Sequence, residues 1–350
     1  MRNKKPTIYD IAEEVGFSTA TVSRVLSNSS YPVKEQTRNK ILETARKLNY
    51  EPNIIGRMLK KNESMDIGVI IPTISNPFYP QIVLGIEQEA RSRGYNILLC
   101  NSLRDSVTEQ KYIETLYRKQ VKGIIISSIG ENRRYLERLR KQGIVIVAID
   151  QEIEGFECNK VVFDYVKGGE IATDYLILQG HTNIAFLTSP LTRKSRKDVF
   201  EGYKLSLLKN NISLNENNII VSDKEEECEN STYEFRNCRW LAKRFLERNT
   251  GSTAVFVGND MTAFGVIQEF TENGIKVPDD ISVVGFDNIE ISSMINPPLT
   301  TVNLPAYETG KLACQMLFDS FEGKEDANRT VILEPFLVIR KSVALLNHQG

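Results

Sequence analysis

Histidine is nearly missing from this chain, with two in 350 residues, His181 and His348. The five cysteines (Cys100, Cys158, Cys228, Cys238, Cys314) are scattered, odd in number and form no CxxC pair. A zinc site or disulfide framework is therefore not expected, and no metal or other cofactor is implied. No GxGxxG or GxxxxGK[ST] loop occurs, and neither histidine sits in a recognisable triad, so the chain is not expected to be an enzyme. The longest apolar runs, such as IVIVAI at 144–149, have the length of a core strand and are too short to cross a bilayer. The opening MRNKKPTIYD lacks the apolar stretch of a secretory signal, so the cytoplasm is the expected compartment and no membrane partner is expected.

What is present describes an ordinary globular protein of more than one domain, 41% hydrophobic and 25% charged. The net charge of −1 hides an asymmetry. Residues 1–64 carry 12 Lys/Arg against 7 Asp/Glu, a net of +5, and the remainder carries 32 against 38, a net of −6. A basic end on an acidic body keeps attraction for phosphate local, which suits a DNA-binding module.

The stretch from Thr7 to Leu59 is dense in local signals. Thr7 followed by Asp10 is a capping signature that starts a helix at Ile8. Ile8, Ile11, Ala12 and Val15 share one helical face, and Gly16 suits the positive φ of a helix exit. Ser18 caps a second helix with Val22, Val25 and Leu26 inward. Thr19, Ala20, Thr21, Ser23 and Arg24 are left near its start and on its outer faces. A third helix over 34–48 has Ile41, Leu42, Ala45 and Leu48 as its apolar stripe. A helix, a three-residue turn and a short polar-fronted helix form the unit that lays a recognition helix in the major groove of double-stranded DNA.

Apolar stripes alone would fit any three-helix bundle. DIAEEVGFSTATVSRVLS followed by KILETARKLNYEPN, however, resembles the headpiece of the LacI/GalR family of bacterial repressors. ISNPFYPQIVLGIEQEA, and IKVPDDISVVGFDN followed by PPLTTVNLP, resemble that family's effector domain, so the likeness covers nearly the whole chain.

Beyond the headpiece, IGVIIP, NILLC, GIIISS and IVIVAID read as buried parallel strands, with helices near 78–93, 106–119 and 133–142. The pattern repeats with VVFD, NIAFLT, NIIV, TAVFVG and ISVVGFD, and helices near 167–179, 197–210, 232–248 and 261–273. The expected fold is an all-α helix-turn-helix headpiece (1–50), a hinge (51–64) and two doubly wound parallel α/β subdomains (65–341), with a tail at 342–350. The resemblance implies a periplasmic-binding-protein-like body with an N-subdomain at 65–164 plus 291–325 and a C-subdomain at 165–290 plus 326–341. Its three crossovers would lie near Asp164, Ile291 and Glu325 and let one half rotate on the other. No leucine heptad follows Arg340, so a homodimer on a pseudo-palindromic operator is expected.

On DNA, Arg24 is the candidate for direct reading, since a guanidinium pairs bidentately with guanine. By resemblance, Thr19 and Ala20 occupy positions that choose the operator sequence. Tyr9, Ser18, Thr21, Ser23, Thr37 and Asn53 match positions that hold phosphates or position the helix. For Thr21 and Ser23 a local capping or solvated role stands beside that one. Leu59 matches a leucine that wedges into the minor groove, or else packs on the body. Gly56 stands where a helix former is expected and should cost the hinge helix about 0.5–1 kcal/mol, so Gly56→Ala should tighten operator binding.

In the effector cleft the resemblance implies an aromatic face from Phe78, hydroxyl-accepting carboxylates from Asp150 and Asp287, and an opposite wall of Asn259 and Arg193. A sugar or sugar derivative fits such a site. Asp150 and Asp260 could instead cap turns or helices, and for Asp260 the cap is expected. Val199 stands where relatives often carry an effector-binding arginine, and Arg196, one turn earlier, is the candidate substitute. The acidic run EEECEN at 225–230 reads as a solvated loop. A phosphocarrier corepressor is the variant reading, with Tyr307 matching part of its docking face but Gln315 standing where an arginine would receive phosphate. A free-standing sugar-binding protein or an enzyme remain alternatives of another class, against which the headpiece argues.

Overall fold

The computed structural model describes residues 6–27, 31–50, 65–129, 132–223, 233–324 and 328–346. The chain divides into two units, Met1–Glu63 and Ser64–Gly350.

In the first unit, α1 (Ile8–Val15), α2 (Thr19–Leu26) and α3 (Glu35–Lys47) form a small bundle. The Thr7 backbone N–H and hydroxyl both donate to the Asp10 carboxylate, at 2.6 and 2.7 Å, and Gly16 leaves α1 at φ 73°. Ser18 Oγ accepts from the Thr21 N–H at 3.2 Å and starts α2. Ile11, Ala12, Val15, Val22, Val25, Ile41 and Ala45 make the core, with Leu26, Leu42 and Leu48 half-buried against it. A cap is worth about 1 kcal/mol and a buried aliphatic side chain about 1.5–3 kcal/mol. Packing therefore holds these helices, which are too short to persist alone.

The second unit contains two six-stranded sheets. Strands β1 (Asp66–Ile71), β2 (Asn96–Asn101), β3 (Gly123–Ile126), β4 (Val145–Asp150), β5 (Asn159–Phe163) and β11 (Thr330–Leu333) build the N-half in the order β11-β5-β4-β3-β1-β2, all parallel. Strands β6 (Ile184–Thr188), β7 (Ile219–Val221), β8 (Ala254–Val257), β9 (Ser282–Asp287), β10 (Thr300–Asn303) and β12 (Phe336–Val338) build the C-half in the order β12-β10-β9-β8-β6-β7. Only β12 runs antiparallel to its neighbour. The near-continuous Val/Ile runs are what strands covered on both faces require. Helices α4 (Phe78–Ser92), α5 (Ser106–Arg118), α6 (Arg133–Lys141) and α11 (Ala306–Phe321) cover the N-half. Helices α7 (Tyr165–Leu178), α8 (Lys194–Lys209), α9 (Tyr233–Arg248) and α10 (Asp260–Glu272) cover the C-half.

The chain crosses between halves after β5, between β10 and α11, and between β11 and β12. The second and third crossings fall later than the expected positions near Ile291 and Glu325. Strand β10 stays on β9 until Asn303 pairs with Asp287, and β11 stays on β5 until Leu333 pairs with Phe163. Strand pairing, not the end of a helix or loop, sets where the chain leaves a half. Residues 300–303 thus belong with the C-half and 330–333 with the N-half. In both sheets the strand order reverses beside the first strand, β1 or β6, and ligands of such folds sit at the carboxyl ends there.

Candidate functional site

On the headpiece, Tyr9, Ser18, Ala20 and Arg24 are exposed, while Thr19, Thr21, Ser23 and Thr37 are half-buried. The Arg24 guanidinium carbon lies 4.2 Å from the centroid of the Tyr31 ring. An exposed contact of that kind is worth about 0.5–1 kcal/mol, less than the ~1–3 kcal/mol of a bidentate guanine pair, so Arg24 can exchange one for the other. Ser18 and Thr21 share a hydroxyl–hydroxyl bond of 2.9 Å, so the local role left open for Thr21 is filled. Asn53, Gly56 and Leu59 lie outside the described residues, as does the 225–230 run.

In the body, the carboxyl ends of the two sheets line one shared cavity. Phe78, Asp150, Arg193, Arg196, Asn259 and Asp287 all line it. The C-terminal residues of β4 and β9, Asp150 and Asp287, adopt φ 72° and 116°. Non-glycine residues pay for positive φ, and such strain is kept where it aims a functional side chain.

Asp150 is buried and already heavily used. Tyr79 Oη and Ser127 Oγ donate to Oδ2 at 3.2 and 3.0 Å, and Tyr165 Oη donates to Oδ1. Burial, reinforced by the Asp150 charge, pushes both phenols above their ordinary range, so they stay donors. With three donors on it, Asp150 is an organising hub with little acceptor capacity to spare. Asp287 accepts from the Asn76 side chain, and burial together with the neighbouring Asp260 holds its carboxyl well above the usual range. Asn76 in turn accepts from the Phe78 N–H at 3.0 Å, which fixes the start of α4.

On the opposite wall, Asn259 Oδ1 accepts from the Thr262 N–H at 2.8 Å, so it caps α10 as well as lining the cavity. Arg193 stands at the N-cap position of α8 without a side-chain capping bond, and Arg196 in the first turn donates to the Pro190 carbonyl at 3.1 Å. Val199 follows one turn later, buried against the same cavity. Asp260 is fully buried and accepts from the Ile289 N–H at 3.0 Å, from Ser292 Oγ at 2.6 Å and from Thr301 Oγ1 at 2.5 Å. It knits β10 and the segment after β9 to α10. Burial still pushes its pKa up to about 6 against those three donors.

Several lining residues have no role assigned from the sequence, among them Asn76 and Tyr79, which lie within ISNPFYPQIVLGIEQEA, and Arg104, Tyr165, Ser195 and Glu234. Most sit just past a strand or at the first turn of a helix, and reading every strand end, rather than the acidic ones, would have found them. Outside the cavity, His181 bonds Thr253 Oγ1 at 2.9 Å and the Ala344 carbonyl at 3.1 Å, fastening the C-terminal segment to the C-half. Gln315 donates to Glu89 at 3.4 Å, an acidic setting that disfavours phosphate. Among the described residues there is no cluster of metal-ligating side chains and no helix long and apolar enough to cross a membrane.

A helix-turn-helix joined to a two-lobed α/β body with a polar interlobe cavity defines a DNA-binding transcriptional regulator with an effector-type domain. Residues 7–53 match the model of bacterial regulatory proteins of the lacI family, and residues 173–343 match that of periplasmic binding protein-like domains. The chain belongs to the lacI family. It is 34% identical over 342 residues to the HTH-type transcriptional repressor PurR of Vibrio campbellii, covering 97% of this chain and 99% of that one. A lac repressor dimer bound to operator and the anti-inducer ONPF superposes with a TM-score of 0.83 at 27% identity, covering 97% and 100%. A LacI family regulator from Enterococcus faecium with bound ribose gives 0.70 at 28% identity, covering 81% and 100%.

Proposed function

We propose that this protein is a cytoplasmic homodimeric repressor that binds a pseudo-palindromic operator and is controlled by a small polyhydroxylated effector held between the halves of its body. The observation that carries the proposal is the convergence of Phe78, Asp150, Arg193, Arg196, Asn259 and Asp287, from both halves, on one cavity. An aromatic face beside carboxylates and amides suits a sugar or sugar derivative, and the ribose-bound regulator of similar fold supports that class. Arg196 takes the place of the arginine missing at Val199. On the headpiece, Arg24, Thr19 and Ala20 read bases, and Tyr9, Ser18, Thr21, Ser23 and Thr37, with Asn53 and Leu59 of the 51–64 segment, position the helix on DNA.

Dimerisation is supported by apolar side chains left in water on the N-half. Leu99, Leu103 and Val107 are 46%, 50% and 57% exposed along the β2 edge and the start of α5. A ligand that prefers one arrangement of the halves changes operator affinity, and DNA changes ligand affinity by the same factor. Selection of bound fragments from genomic DNA, followed by a thermal-shift screen of sugars, sugar acids and nucleosides, tests the proposal. An enriched palindrome and a stabilising compound are expected. Failure to enrich any sequence at low salt would reject the DNA half, and the absence of any stabilising compound the effector half.

A further inference from the structure

Arg104 and Glu234 come from opposite halves of the body. Arg104 follows β2 with φ 56°, and Glu234 stands in the first turn of α9. Their side chains form an ion pair, are only 4% and 2% exposed, and both line the cavity. The Tyr233 ring, also on α9, sits 5.5 Å from the Arg104 guanidinium carbon, and its hydroxyl bonds Ser222 Oγ at 3.0 Å. The second carboxylate oxygen of Glu234 is buried and has no hydrogen-bond partner among the described residues. A buried charged oxygen left without a donor is costly, and in a ligand cavity it is explained by a donor that arrives with the ligand.

Other contacts cross between the halves, including Ser195 to Gln151 at 3.3 Å and Asn76 to Asp287. The Arg104–Glu234 pair differs because both members are charged and dry. Parting the halves separates two buried charges, while keeping them together leaves one buried oxygen of a cavity-lining residue without a donor among the described residues. Taking the effector-cleft reading as its basis, we infer that Arg104 and Glu234 are a recognition pair that clasps the two halves of the body. Arg104 fixes Glu234 from across the cleft, and the unpartnered oxygen of Glu234 accepts from a hydroxyl or amino group of the ligand. Ligand recognition and closure of the cleft then depend on the same two side chains. At this end of the cavity the ligand is polyhydroxylated or amine-bearing, since a carboxylate or phosphate there would meet the Glu234 charge.

The test uses the full chain with spin-label amino acids at Arg134 on α6 and Lys197 on α8, both exposed. Interlabel distances are read by double electron–electron resonance. Thermal shifts are read with a panel of neutral aldoses, amino sugars and sugar acids. The wild type should give one narrow distance. Glu234→Gln should add a longer-distance population and lose the melting shift that a panel compound gives the wild type. The exchanged pair, Arg104→Glu with Glu234→Arg, should recover the narrow distance but not the ligand shift, because the acceptor is gone from α9. A merely structural pair would recover both. If Glu234→Gln does not fold, Arg104→Met with Glu234→Met removes both charges together and leaves none unpaired, and the same two readouts apply. A variant lacking the pair that keeps the wild-type distance distribution, or keeps the full ligand shift, would overturn the inference. If no compound shifts the wild type, the effector reading fails while the distances still decide the clasp.

Discussion

Adding one methyl group at Gly202 should cost the body about 2 kcal/mol. Helices α7 and α8 touch backbone to backbone there. A Cβ on Gly202 would stand 2.1 Å from the Val166 carbonyl oxygen, 2.8 Å from the Glu170 nitrogen and 2.9 Å from the Gly169 Cα. All three are backbone atoms, so no side chain can swing away and the helices must separate. Overpacking a tight site typically costs about 1–3 kcal/mol, and a three-sided backbone clash belongs at the upper end. Ala returns about 1 kcal/mol in helix propensity. The difference of ~2 kcal/mol should lower the melting temperature by about 4–8 °C for a unit of this size. The single tryptophan, Trp240 on α9 of the same half, reports unfolding by fluorescence. Glu201→Ala, exposed on the same helix, is the control and should change stability by less than ~0.5 kcal/mol. Because α8 carries Arg196, the variant should also lose effector affinity. A Gly202→Ala protein that melts within 1 °C of wild type, on the order of the control's effect, would refute the reasoning.

Arg24→Ala should weaken operator binding by about 5- to 150-fold and relax discrimination at one base pair of each half-site, measured by fluorescence anisotropy on a substituted operator series. Ser18→Ala should remove about 1 kcal/mol of local stability from α2, seen as faster hydrogen exchange at the Thr21 amide, which donates to Ser18. Asp260 and Asp287 both hold a proton more tightly folded than unfolded, chiefly through burial. The stability they contribute is therefore full below a pH of about 4 and is lost as pH rises through their folded pKa, about 6 for Asp260. Urea titrations across that window should show stability falling with pH, and Asp287→Asn should flatten the fall. An unchanged slope would count against the shifted carboxyl.

Much of the fold is written locally. The Thr7–Asp10 box, the Gly16 exit and the Ser18 cap mark α1 and α2 because each satisfies backbone groups within three or four residues. The buried Val/Ile runs mark the strands for the same local reason. Strands β10 to β12 and helix α11 are less legible, since their places depend on pairing with β5 and β9 and on the face of α4. The crossings near Asn303 and Leu333 follow from that pairing. In the cleft, acids at strand ends stand out in sequence, so Asp150 and Asp287 are legible. Arg104 and Glu234 are 130 positions apart, and only the closed body brings them together.

The central claim is that occupancy of the cleft sets operator affinity. The direct measurement is anisotropy on the selected operator with and without the stabilising compound, alongside calorimetric titration of that compound with and without the operator. The account predicts a change of about 5- to 150-fold in operator affinity, matched by the same factor in ligand affinity when DNA is bound. Operator affinity unchanged at saturating ligand would contradict it.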